Sequence, residues 1–180
     1  WLRTVQYFGG QRLFSANKRF ELLLPLVDIT TTLDPRLEMA YRYGAIFLSE
    51  PFPVGAGRPR EGIEILEAGV RNNPGSWRLR QDLGFFHYIF LHDPVRAAAV
   101  LREAAELPGA AFWLRMLAAD VLAKGGARTD ARRMWRQMYE QAEPQTAPLE
   151  EWSALPWRFV KVFLDASVDD ASRDALAGAA

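Results

Sequence analysis

The chain has 180 residues, of which 49% are hydrophobic, and its 22 basic residues balance its 22 acidic residues. This length and composition predict one domain with a continuous core and exclude an intrinsically disordered chain. The zero net charge argues against a strong electrostatic attraction to nucleic acid or to an anionic membrane, and the absence of cysteine excludes disulfides and thiolate metal sites.

The first third of the chain predicts two helices. Residues 1–8 indicate the end of a helix that Gly9 and Gly10 close, and residues 20–33 carry the apolar stripe of a second helix. No segment has the ~18 to 20 consecutive apolar residues that span a bilayer. Because the chain begins with Trp1 rather than Met, we expect that a segment preceded it, and any signal or membrane anchor would lie there.

The middle of the chain predicts four further helices and one insert. Asp34 is expected to cap a helix over residues 36–49. The insert at residues 50–60 contains three prolines and two glycines, which cannot continue a helix. Helices are then expected over residues 61–71, 77–91 and 94–107, with Ser76 and Asp93 as N-caps.

Residues 110–124 and 129–142 predict another helical pair, and residues 147–180 predict C-terminal capping helices. No stretch alternates in the manner of a strand, so the sequence predicts an all-α fold. Small residues recur at a period of roughly 35 residues, which is typical of stacked helical hairpins. They are Gly44, Gly62 and Gly69, then Gly84, Ala97 and Ala104, and less regularly Gly126 and Ala131.

These residues resemble the tetratricopeptide repeat. Leu83-Gly84 with His87 is similar to the family's first helix, and Ala97, Leu101 and Ala104 to its second. The resemblance covers roughly residues 20–144. It implies a TPR-like α-solenoid of about three to four helical hairpins with a C-terminal capping helix. The expected segments are an N-terminal helix end and loop at 1–19, repeats at 20–146 and the cap at 147–180.

The phrases WLRTVQYFGG and LLPLVDITTTLDPRLEMAYRYGAIFLSE also resemble a bacterial, membrane-tethered subgroup of this family. That resemblance implies a location at the bacterial cytoplasmic membrane with the repeats on the periplasmic side. A cytoplasmic location is the alternative.

The resemblance further implies that the first helix of each pair lines a groove that binds a partner protein. The groove residues would be Glu38, Tyr41, Arg78, Gln81, Phe85, Tyr88, Trp113, Met116 and Asp120. The alternative is that several of them pack against neighbouring helices. Phe52 in the Pro-rich insert is a second candidate contact, unless it folds back onto its own hairpin.

The sequence contains none of the residue patterns that indicate a catalytic or metal-binding site. His87 and His92 are five residues apart, unlike the four-residue spacing of zinc-binding helices, so packing or surface roles are expected. We therefore expect no enzyme activity, cofactor, metal or small-molecule substrate. The leading hypothesis is a protein interaction scaffold, an accessory or structural subunit of a larger membrane-associated assembly.

The alternative hypothesis is an RNA-binding helical repeat. It would use a stripe of arginines near residue 130, although these side chains could equally form a solvated face paired with nearby acids. The stripe consists of Arg128, Arg132, Arg133 and Arg136. Because the net charge is zero, we expect no nucleic-acid partner.

Overall fold

A computed structural model of the chain describes the backbone of residues 1–141 and the side chains of residues 1–137. The capping helices expected at 147–180 lie outside the described residues. Within residues 1–141 the protein is all-α, with no strand. The helices are α1 (Leu2–Leu13), α2 (Leu23–Leu33), α3 (Glu38–Ser49), α4 (Pro59–Asn72), α5 (Trp77–Ile89), α6 (Pro94–Ala105), α7 (Leu114–Lys124) and α8 (Arg128–Gln141).

The chain divides into two compact units, Trp1–Ala118 and Ala119–Ala180, with the boundary inside α7. In the first unit each helix from α1 to α6 packs against the next one along the chain, and α3 also packs against α5. The core of this unit consists of apolar side chains that the helices bury between them, chiefly Leu23, Val27, Tyr41, Leu48, Leu66, Leu79 and Phe86. In the second unit, Ala131 of α8 is buried and Lys124 Nζ lies 2.9 Å from Asp120 Oδ2.

Glycines lie where the helices of the first unit approach most closely. A Cβ added at Gly44 would lie 2.8 Å from Cγ1 of Val27, and one at Gly69 would lie 2.8 Å from Cγ of Tyr41. A Cβ added at Gly84 would lie 2.7 Å from Cγ of Leu101. The recurring glycines Gly44, Gly69 and Gly84 are therefore contact points between helices, because a larger side chain would push the helices apart. Gly126 is not such a point, since a Cβ added there would meet no described atom within 4 Å.

Two predicted N-caps are confirmed, and one is wrong. The Ser76 hydroxyl accepts a hydrogen bond from Leu79 N at 3.3 Å, and the Asp93 carboxylate accepts one from Arg96 N at 2.9 Å. Asp34 instead accepts from Arg36 N at 3.1 Å, in the turn before α3, because α3 begins only at Glu38. A side chain that bonds two residues along the chain stabilises a turn rather than a helix start.

The predicted end of the first helix is also wrong. α1 continues through Gly9 and Gly10 to Leu13, and Phe14 N donates a hydrogen bond to Gly10 O at 3.1 Å. Glycine weakens a helix without breaking it. Packing of α1 on α2, where Thr4 Oγ1 lies 3.3 Å from Leu26 O, supports the continued helix. Among the described residues, none of the helices has both the length and the apolar composition required to cross a bilayer.

Candidate interaction surface

Helix α3 is apolar on two faces. Its inner face buries Ala40, Gly44 and Leu48 in the core. Its outer face exposes Met39, Tyr43 and Ile46, whose exposed fractions are 51%, 46% and 36%. These three residues are spaced by four and three positions, so they form one stripe along the helix. We call these three residues the α3 stripe, and they form an apolar surface that the other helices of the first unit leave exposed.

Aromatic rings border the α3 stripe on the side of α1. The ring of Phe47 stacks on Phe8 with the centroids 4.0 Å apart, and it lies 6.2 Å from the nearly parallel ring of Trp1. Its centroid is also 6.3 Å from that of Tyr43. Stacked aromatic rings hold their positions with little conformational freedom. Phe8 is buried, whereas Phe47 and Trp1 are partly exposed, so these two rings extend the apolar surface from Tyr43 towards the N-terminus of α1.

An ion pair borders the α3 stripe on the side of α5. Arg42 donates hydrogen bonds to both carboxylate oxygens of Asp82, and these bonds raise the pKa of Arg42 above its usual value. A two-pronged pair of this kind fixes the relative position of the two helices. Because Arg42 and Asp82 neutralise each other, this edge of the stripe does not require a charged group from a binding partner.

The neighbouring face of α5 carries Arg78, Phe85 and Ile89, which repeat at helical spacing. Arg78 and Ile89 are exposed and Phe85 is partly buried. The guanidinium of Arg78 lies 4.3 Å from the ring centroid of Trp77, in a cation–π contact. Together with the α3 stripe, this face forms a mixed aromatic and aliphatic surface with one exposed cation. We call the two together the α3–α5 surface.

The predicted groove residues of α5 reach the protein surface. Arg78 is exposed, and Gln81, Phe85 and Tyr88 are partly exposed. Trp113 and Met116 are partly exposed as well. Glu38 has a structural role, because its carboxylate accepts a hydrogen bond from the Ser76 hydroxyl at 2.7 Å and so links the start of α3 to the start of α5.

Two predicted groove residues are buried, and these predictions are wrong. Tyr41 is fully buried, with its hydroxyl 3.2 Å from Pro35 O and 2.8 Å from Nδ2 of Asn72. Asp120 is buried in the second unit, where it pairs with Lys124. The register assumed for α3 placed Tyr41 outwards, whereas Gly44 and Ala45 turn that side of the helix into the core.

The exposed residues of the α3 stripe do not belong to the predicted groove set. In the sequence they form a second apolar stripe on α3, beside the stripe that is buried. The sequence signal cannot show which of two apolar stripes on one helix is buried, because both have the same period.

Phe52, the candidate partner contact of the Pro-rich insert, is exposed by 63% in the loop between α3 and α4. The loop returns to the end of α3 through three backbone hydrogen bonds. Ala56 N donates to Phe47 O at 3.1 Å, Gly57 N to Glu50 O at 2.9 Å, and Arg58 N to Leu48 O at 2.7 Å. These bonds hold the loop in place while the Phe52 side chain stays outside the core.

The arginine stripe of the sequence lies on α8, where Arg128, Arg132 and Arg136 are exposed. Arg133 pairs with Asp130, with Nη1 and Oδ1 3.5 Å apart. One member of the stripe thus belongs to a paired, solvated face, and an exposed pair of this kind contributes little to stability.

In the part of the chain that the structure describes, no group of three His, Asp or Glu residues is placed to hold a metal ion. His87 is 2% exposed and packs in the core. Neither of its ring nitrogens has a hydrogen-bond partner among the described residues. Burial lowers the pKa of His87 below its usual value, and the nearby Arg96 lowers it further.

Comparison with known proteins finds no matching family model, no matching curated protein and no matching solved structure. The surfaces described above are therefore the basis of a functional proposal.

Proposed function

We propose that this protein is a non-enzymatic, TPR-like α-solenoid scaffold that binds other protein subunits, as an accessory or structural part of a larger bacterial assembly at the cytoplasmic membrane. The observation that supports this proposal most directly is the α3 stripe. Met39, Tyr43 and Ile46 face outwards from a helix whose other face is already packed in the core.

The order of helix contacts supports the TPR-like part of the proposal. Helices α3 and α4 pack as one pair and α5 and α6 as the next, while α4 packs on α5 and α3 on α5. Each hairpin of a stacked repeat contacts its sequence neighbours in this way. The glycine contacts between α3 and α4 and between α5 and α6 are of the kind that such close stacking requires.

The composition of the α3–α5 surface supports a protein partner. Exposed aromatic and large aliphatic residues form the centres of protein interfaces, and a fixed backbone reduces the entropy lost on binding. Helix α4 differs, because its exposed residues are all polar, namely Arg60, Glu64, Arg71 and Asn72. A partner helix with apolar residues at positions i, i+4 and i+7 would match the α3 stripe in spacing.

The test compares the proteins that co-purify from solubilised membranes with wild type and with a variant that carries Met39→Glu and Ile46→Glu. We expect that partners enriched by wild type fall by about tenfold or more with the variant, because carboxylates would be desolvated at the interface. The matched control is Val95→Glu, which adds charge at an exposed apolar residue of α6.

Partners that remain bound to the double variant would contradict the proposed surface. A monomeric wild-type protein with no co-purifying subunit would contradict the scaffold function itself. Circular dichroism should show that both variants keep the helical content of wild type, since all three changed residues are exposed.

RNA binding through α8 is the alternative proposal, and the exposed Arg128 and Arg136 favour it. It predicts binding of single-stranded RNA that weakens steeply with added salt and is lost when both arginines become glutamate. A titration at low salt without binding would remove this alternative.

A further inference from the structure

The connection between α1 and α2 exposes three large apolar side chains. α1 ends at Leu13 and α2 begins at Leu23, and we call residues 12–22 the hairpin tip. Within it, Leu13, Phe14 and Leu22 are exposed by 71%, 86% and 57%. These side chains lie at the end of a hairpin, whereas the α3 stripe lies along the outer face of one helix.

Hydrogen bonds hold the hairpin tip against α1. The Tyr7 hydroxyl donates to Arg19 O at 2.7 Å, and Arg19 N donates to Oε1 of Gln11 at 2.8 Å. Lys18 Nζ donates to Arg12 O at 2.9 Å. The loop therefore has a defined conformation that presents Leu13 and Phe14 to solvent, and ordering these side chains on binding costs little backbone entropy.

The local charge differs from that of the whole chain. Residues 1–20 contain four basic residues and no acidic one, although the chain as a whole is neutral. Arg19 is exposed and Lys18 is partly exposed beside the apolar side chains. Arg12 is paired with Glu50 at 3.3 Å, and the acidic residue of the tip itself is Glu21. The tip thus combines protruding apolar side chains with a basic surround.

We propose that the hairpin tip binds the surface of an anionic lipid bilayer, with Leu13 and Phe14 in the interfacial region and Lys18 and Arg19 at the headgroups. Interfacial segments combine apolar side chains with basic residues in this way, and long basic side chains extend to the headgroups while their stems stay in the apolar layer. Cationic side chains and anionic lipid headgroups attract each other when they lie within about a Debye length. Charge complementarity therefore favours an anionic bilayer over a neutral protein as the binding partner of the hairpin tip.

The face of α1 continues the same surface. Leu2 and Val5 are exposed and share with Leu13 the helix face that points away from Thr4. Arg3 lies beside them and is exposed. This contact is peripheral and does not depend on the scaffold function, because it uses residues outside the α3–α5 surface.

Co-sedimentation of the whole protein with lipid vesicles tests the proposal. Vesicles of phosphatidylcholine alone are compared with vesicles that contain equal amounts of phosphatidylcholine and phosphatidylglycerol. We expect binding to the anionic vesicles and a decrease with added salt. Combined Leu13→Glu and Phe14→Glu, and separately combined Lys18→Glu and Arg19→Glu, should each weaken that binding by about tenfold or more.

Val95→Glu is the matched control, and it should bind the anionic vesicles as wild type does. If the double apolar variant fails to fold, Phe14→Ser changes the most exposed side chain alone and provides the same test. Equal binding to both kinds of vesicle, or no binding to either, would overturn the proposal. A dimer in sedimentation velocity that Phe14→Ser dissolves, without vesicle binding, would assign the tip to self-association and would also overturn it.

Discussion

Individual side chains set how closely the helices of the first unit pack. Gly69 lies against the ring of Tyr41, whose hydroxyl is held by Asn72 from the same helix as Gly69. The close approach and the hydrogen bond therefore depend on each other. His87 is the opposite case, since a polar ring occupies a buried position without a hydrogen-bond partner among the described residues.

Gly69→Ala should destabilise the protein by roughly 1 to 3 kcal/mol. The new Cβ would lie 2.8 Å from Cγ of Tyr41, at the root of a buried ring that cannot move aside without shifting α3. Urea unfolding would measure the free energy of unfolding. Gly75→Ala is the control, because a Cβ there meets nothing within 4 Å, and it should leave stability unchanged or slightly raised. Equal effects of the two substitutions would contradict the close packing of α3 and α4.

The free energy of unfolding should fall as the pH drops below about 6.5, the ordinary pKa of histidine. Burial lowers the pKa of His87 in the folded state, so the unfolded chain binds a proton more readily and acid favours unfolding. His87→Met should reduce this loss between about pH 7 and about pH 5, because no proton can then bind at that position. Thermal unfolding at each pH would measure the difference.

His92→Asn is the control for the histidine test. It removes an exposed imidazole at a backbone φ of 52°, a conformation that asparagine tolerates. The control should keep the pH dependence of wild type. If His87→Met and wild type lose stability in parallel between neutral and mildly acidic pH, burial of His87 does not control the effect.

Helix ends and loops connect the elements. Ser76 caps α5 and at the same time donates a hydrogen bond to Glu38 at the start of α3, so one hydroxyl orders the beginnings of two helices. The insert between α3 and α4 is likewise bound to the end of α3. At this scale, polar side chains and loop backbone set the relative positions of helices that apolar packing holds together.

Ser76→Ala should lower the free energy of unfolding by about 1 to 2 kcal/mol, because the α5 N-terminus loses its cap and the half-buried Glu38 loses a donor. Denaturant unfolding checks this value. Thr32→Ala removes an exposed hydroxyl inside α2 and should cost nothing comparable. An effect of Ser76→Ala no larger than that of Thr32→Ala would show that the cap is unimportant.

Across the first unit, the main helix contacts join sequence neighbours, with α3 and α5 as an additional pair. If the proposed TPR-like stacking holds, stability is a sum of local terms and neighbour interfaces, and separate regions can open independently. The rings of Phe8, Phe20 and Phe47 join α1 to the segment before α2 and to α3. Beside the packing of α2 on α3, they form a second connection between the N-terminal hairpin of α1 and α2 and the rest of this unit.

Phe8→Ala should therefore loosen the N-terminal hairpin selectively. Losing a buried Phe costs about 3 to 5 kcal/mol, and native-state hydrogen exchange should accelerate in α1 and α2 while amides of α5 and α6 stay close to wild type. Leu33→Ala, at an exposed residue of α2, should change none of these rates. Uniform acceleration through Trp1–Ala118 would instead show that the unit opens as a whole.

Local patterns in the sequence determined the all-α class, the existence of the described helices, the caps at Ser76 and Asp93 and the loop at the Pro-rich insert. They also determined that Gly44, Gly69 and Gly84 lie between helices. These features depend on backbone propensity, on hydrogen bonds within a few residues and on periodic apolar spacing, so a local stretch of sequence is sufficient to predict them.

Only the tertiary structure decided that α1 continues past Gly9, that Tyr41 is in the core and that the α3 stripe faces outwards. It also decided that Arg42 pairs with Asp82 and that the hairpin tip presents Phe14 to solvent. The physical reason is that each of these outcomes depends on contacts between residues distant in the chain or on the choice between two faces with the same period. Burial of one face is settled by what the rest of the chain packs against it.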